Sequence, residues 1–148
     1  MPIQRDLNNN IASPSLSLLD LSSSDLSYLS PSLLVTTPSL KKLMLQNNSL
    51  SSLPSSLLSP LDSLLLLNLS SNALTHSTLE PALRDQVKLI ALDVSHNKLD
   101  KVGRGLLSSL AQLQILNLGH NKIANVEAGS LSKLRNLHVL ILSHNKLR

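Results

Sequence analysis

Leu113-Gln114-Ile115-Leu116-Asn117-Leu118-Gly119-His120-Asn121-Lys122-Ile123 carries apolar side chains at positions 1, 4, 6 and 11 and an asparagine at position 9. The same spacing begins at Leu40, Leu64, Leu89 and Leu137, and a weaker copy begins at Leu16, with Ser24 in the asparagine slot. The starts at 16, 40, 64, 89, 113 and 137 are separated by 24, 24, 25, 24 and 24 residues. A fixed period of this size is the mark of a solenoid. Within each copy, positions 4 and 6 are apolar and flank a free position, the alternation of a short strand with one buried face. A single copy cannot bury that face, so copies must stack. Stacking places equivalent residues about 4.8 Å apart and joins the strands into one parallel sheet.

Position 9 holds Asn48, Asn72, Asn97, Asn121 and Asn145. The chain leaves the strand here, and its turn exposes N–H and C=O groups with no ladder partner. A carboxamide donates and accepts at once, so each is expected to satisfy backbone groups of its own turn and of the next coil. Ser24 can do less of this, which predicts a looser first coil.

On these residues the chain resembles the leucine-rich repeat proteins of the 24-residue class, from about residue 16 to 148. The run Ser51-Ser52-Leu53-Pro54-Ser55-Ser56-Leu57-Leu58 fits the second half of that family's repeat. The resemblance implies an α/β solenoid: a curved right-handed coil, a parallel β-sheet on the concave face, and short helical or extended segments on the convex face. It also implies binding of a protein or peptide on the concave sheet rather than catalysis. One feature departs from the class. Leu34, Leu58, Leu83, Leu107 and Leu131 stand where Phe is usual, and the chain has no Phe and no Trp. Leucine fills less volume than a phenyl ring, which predicts a thinner or looser convex side. An unusual lineage and a deliberately simplified sequence both fit so uniform an absence.

The 148 residues fit one domain, residues 16–148, after a polar lead-in at 1–15. Charged residues make up 15% and mean hydropathy is +0.13. With no Cys, disulfide-bonded end caps are impossible. The residues from Met1 to Asp6 do not form a signal peptide, and no apolar run is long enough to span a membrane. The expectation is a cytoplasmic protein or a fragment of a larger one, with no membrane partner. The net charge of +4 is uneven: residues 1–80 hold three basic and five acidic side chains, and residues 81–148 hold ten and four. That imbalance points to an acidic partner for the C-terminal half. Tyr28 is the sole aromatic of the Phe, Trp and Tyr class, which argues against nucleic acid.

Along the chain, Pro31 and Pro38 argue against a helix in the first coil, and Pro54 and Pro60 predict extended or turn-like convex segments. The longer third coil is different. Its Ser77-to-Asp85 run, with early acid and Pro, predicts a short helix. Gly103, Gly105 and Gly129 are read as turn residues. The sixth coil is incomplete, which predicts an apolar edge at Leu137, Leu140, Leu142 and Leu147, covered by further chain or by a second copy.

Candidate binding residues follow from the free positions. Position 5 holds Asp20, Met44, Asn68, Asp93, Asn117 and Ile141, expected on the concave face, with Lys42, Gln46 and Ser95 among the flanking residues. His96, His120 and His144 form a column at position 8 and Lys98, Lys122 and Lys146 one at position 10. The two columns read either as a rim for an acidic partner, strengthened as the histidines charge, or as ordinary variation on a solvated edge. No clustered carboxylate or Cys completes a metal site around the histidines, and no cofactor motif is present. Ser95 lies between Asp93 and His96, but neighbouring strand residues face opposite ways and no oxyanion loop is evident, so no catalytic set is read there. Two functions remain open: a non-enzymatic interaction module using the concave face, and a structural solenoid segment, natural fragment or designed, that self-associates as a homodimer through its apolar ends.

Overall fold

In each coil the free residues at positions 3 and 5 face one way and the leucine between them the other, so the repeat becomes a set of three-residue strands. The computed structural model describes residues 11–148 and the backbone of Asp6–Leu7. Its main strands are β2 (Leu18–Asp20), β4 (Lys42–Met44), β5 (Leu66–Asn68), β6 (Ala91–Asp93), β8 (Ile115–Asn117) and β10 (Val139–Ile141). They form one parallel sheet in the order β2-β4-β5-β6-β8-β10. Like pairs with like throughout: Leu43 faces Leu67, Leu67 faces Leu92, and Leu92 faces Leu116. In this register the position-4 side chains Leu43, Leu67, Leu92 and Leu116 all land in the core.

Coil-to-coil pairing continues beyond the strands. The N–H groups of Ser49, Ala73, Lys98, Lys122 and Lys146 donate to carbonyls of the preceding coil at Leu26, Leu50, Leu74, Leu99 and Ile123. The core is a stack of leucines from positions 1, 4, 6 and 11, of which Leu40, Leu43, Leu50 and Leu116 are wholly buried. Leu34, Leu58, Leu83 and Leu107, which replace Phe, are also buried. Thr37 and Gln86, two of the buried polar residues in the convex wall, are satisfied. Thr37 donates to Leu34 O, and Gln86 Nε2 donates to Leu58 O of the preceding coil at 2.8 Å.

The asparagine column holds the turns together, and its direction corrects the sequence expectation. Each carboxamide reaches back to the preceding coil, not forward to the next. Asn97 Nδ2 donates to Val94 O and Ser95 O of its own turn and to Leu69 O, and Asn97 Oδ1 accepts from Leu74 N–H. Asn48, Asn72, Asn121 and Asn145 repeat the pattern. The Ser24 hydroxyl donates to Ser22 O of its own turn, and the Ser24 N–H donates to Asn48 Oδ1 of the next coil.

The convex side is mostly turns. The helix expected over 77–85 starts earlier and is split. It comprises α1 (His76–Leu79), opened by Thr75, whose N–H donates to Thr78 Oγ1, and a separate 3-10 turn at Pro81–Leu83. Pro81 has no N–H to continue the α-helical ladder, so the chain tightens there. A second parallel pair, β7 (Lys101–Val102) with β9 (Asn125–Val126), lines the downstream side. Near the start, β1 (Asp6–Leu7) pairs in parallel with β3 (Tyr28–Leu29). Residues 1–5 and 8–10 of the expected lead-in lie outside the described residues.

Gly103 and Gly105 lie in a turn, as expected, with the Leu106 N–H donating to Gly103 O, but neither needs a left-handed backbone. Among the glycines only Gly129 has a positive φ, at 84°. At Gly103 a Cβ would sit 2.8 Å from His76 Nε2, and at Gly105 it would run into Glu80 Oε1. These glycines make room for side chains of the preceding coil. The Gly103 N–H donates to His76 Nε2 at 3.1 Å, and Glu80 approaches the same nitrogen at 3.5 Å.

Candidate functional site

The concave face is built from positions 3 and 5. Position 5 brings Asp20, Met44, Asn68, Asp93, Asn117 and Ile141 into one row across the sheet. Four of these side chains also have a structural task that the sequence reading missed. The Oδ1 atoms of Asp20, Asn68, Asp93 and Asn117 accept the N–H two residues on, from Ser22, Ser70, Ser95 and Gly119. Each is an Asx turn that steers the chain off the strand. The hydrogen bonds from Ser22, side chain first and then backbone, hold the Asp20 carboxyl below the usual carboxylate range. The alternation of Asp and Asn at one position, followed by Ser or Gly two residues later, was the available signal.

Position 3 was also missed, apart from Lys42. It carries Leu18, Leu66, Ala91, Ile115 and Val139, an apolar strip parallel to the polar row. Ile115 is 44% exposed and Val139 42%. Between Leu66 and Ile115 the small Ala91 leaves a dip. An open depression of about 250 Å³ lies there, lined by Met44, Leu66, Asn68, Ala91, Asp93 and Ile115 among others. Asp93 is the only ionisable group in its lining. Ser95, read as a flanking concave residue, is instead buried, and its hydroxyl donates to Asp93 Oδ1 at 2.6 Å.

His96, His120 and His144 lie not over the sheet but at the rim, where the strands end. Their rings form a stack, with centroids 4.1 Å apart and planes inclined by 10° and 13°. All three have left-handed backbone, with φ of 54°, 54° and 59°. So do Ser23, Asn47 and Ser71 at the same position of the other coils. Position 8 is therefore a column of left-handed residues, a conformation that favours Asn and His over most side chains. The ring of His120 is held below the usual histidine range, first because its neighbours strip water from it and then through the charges of His144 and His96. Stacked rings direct their nitrogens along parallel lines rather than at a common point, which does not suit a shared metal ion. Lys98, Lys122 and Lys146 are exposed on the same rim.

Residues 87–147 match a family profile described as leucine rich repeat, and residues 39–61 match a second leucine-rich repeat profile. No curated protein sequence matches the chain. Among solved structures, the chain is similar to the APL1 leucine-rich repeat domain, with 23% identity over 90% of this chain and a TM-score of 0.82. It is also similar to a chain of the Drosophila Toll–Spatzle complex, with 26% identity over 96% of this chain and a TM-score of 0.83. A third likeness is to a chain of the LRIM1/APL1C complex, with 23% identity over 89% of this chain and a TM-score of 0.81. This chain spans 34% of the first structure's chain, 20% of the second's and 24% of the third's.

Proposed function

The chain belongs to the leucine-rich repeat family, and from that premise we propose that its concave sheet is a docking surface for a protein or peptide. The observation that carries this reading is the depression around Ala91, where an apolar strip and a row of polar side chains adjoin on an open face. A concave surface with an apolar floor and a few placed polar groups is what specific recognition needs. The complexes named among the similar structures support the reading. The exposed lysine column supports its finer part, that the rim faces acidic residues of the partner.

The test is affinity capture from a cell extract, with variants that block the face without breaking a turn. Asn68 and Asn117 hold turns, so the block belongs at position 3, as Ala91→Arg or Ile115→Arg. Loss of a captured protein by both variants, with unchanged circular dichroism, supports the concave face. Capture that ignores both refutes it.

A further inference from the structure

The concave depression has an electrostatic asymmetry that limits what can sit in it. Its floor is apolar, formed by Leu66, Ala91 and Ile115, and its only ionisable group is Asp93. Asp93 Oδ1 is engaged by the Ser95 N–H and hydroxyl. Among the described residues no cation pairs with Asp93. Lys42, the cation on the concave strands, stands two strands away from β6, about 10 Å by strand spacing.

An occupant that covers the depression withdraws water from this carboxylate. A purely apolar side chain would leave the charge buried without a partner, which is costly. An acidic one would add repulsion. A basic side chain removes both penalties, and its aliphatic stem is also the part that fits the floor. We infer that the depression takes a lysine or arginine side chain of the docked partner, with the stem over Ala91 and the cationic end on Asp93. The inference rests on the proposed concave docking reading. The partner it describes has a basic anchor at the centre and acidic residues opposite the lysine rim. The amides of Asn68 and Asn117, whose oxygens are held by their own turns, leave Nδ2 donors on either side of Asp93 for carbonyl groups next to the anchor.

Two substitutions already represented in neighbouring coils test this with little risk to folding. Asp93→Asn matches Asn68 and Asn117, retains the turn acceptor and removes only the charge. Ala91→Leu matches Leu66 and fills the dip without adding charge. A random dodecapeptide phage library is selected on the parent, and the enriched peptides are titrated against parent and variants. The expected result is enrichment of peptides with an obligatory Lys or Arg. Their affinity falls roughly tenfold or more on Asp93→Asn, the scale of a charge-assisted contact, and falls also on Ala91→Leu. Peptides lost on Ala91→Leu but indifferent to Asp93→Asn overturn the basic anchor and leave concave docking standing. Peptides indifferent to both variants, or no enrichment over a denatured control, overturn the anchor and the docking reading together.

Discussion

Position 8 shows how much one backbone conformation decides at the scale of the residue. Six coils place a non-glycine residue there in left-handed geometry, from Ser23 to His144. Asn tolerates that region because its short polar side chain bonds locally, and β-branched residues do not. Ser71→Asn, copying Asn47, is therefore expected to raise stability by about 0.5 kcal/mol, and Ser71→Val to lower it by about 1–2 kcal/mol. The midpoint of urea unfolding, at unchanged m, measures both. The histidine stack gives a pH dependence of definite sign. With its folded pKa lowered, His120 binds fewer protons in the folded chain than in the unfolded one, whose value is near 6.5. Its contribution thus lowers stability as pH falls through the window below about 6.5 and is constant beneath the folded value. Thermal unfolding followed from pH 8 to pH 5 should show this loss, and His120→Asn, which suits the backbone, should flatten it. A slope unchanged in the variant would refute the assignment. The His column is plain in the sequence, but its left-handed backbone is not, because no glycine marks it. Only the restriction of the position to Ser, Asn and His hints at it.

The strand and its turn are the most legible elements. Alternation at positions 4 and 6 places every three-residue strand, and the asparagine column places five of the six turns. Asn97→Ala would leave the Leu74 N–H without its acceptor and take one of two donors from each of the carbonyls of Leu69, Val94 and Ser95. That predicts a loss of about 2–4 kcal/mol by chemical unfolding, more than a typical single hydrogen bond contributes. The convex elements are less legible, because side chains one coil away decide them. Gly103 looks like a turn residue in sequence and does open a turn, but the reason it is small is that His76, 27 residues earlier, occupies the space where its Cβ would lie. A double-mutant cycle tests that cause. Gly103→Ala should cost about 1–2 kcal/mol in the parent and markedly less on a His76→Ala background, a coupling that two independent sites would not show. Gly105→Ala should be milder than Gly103→Ala, since the obstacle there is a carboxylate at the end of the flexible Glu80 chain.

For the whole molecule, periodicity prescribes the sheet order and core, while the concave site emerges only when coils are stacked. No single copy shows that Ala91 is a dip, because a dip exists only relative to Leu66 and Ile115 on adjacent strands. The lysine rim is likewise a property of the stack. Lys98, Lys122 and Lys146 recur at the coil spacing, and all three donate their N–H groups to the coil before. Like charges at the roughly 5 Å separation of stacked coils repel mildly. Lys122→Glu converts that column from three like charges to an alternating one. Its stability should therefore rise by a few tenths of a kcal/mol at low salt, the scale of an exposed pair. Binding of an acidic partner should change the opposite way. The substitution replaces +1 by −1 in the middle of the rim, so the association rate should fall severalfold at low ionic strength. The difference should shrink near 0.5 M salt, where the Debye length is about 4 Å. Stability and association measured on the same two proteins thus separate a rim shaped for a partner from one that is only solvated. Opposite signs place the lysines in recognition, whereas a gain in stability with no change in association leaves them as surface charge.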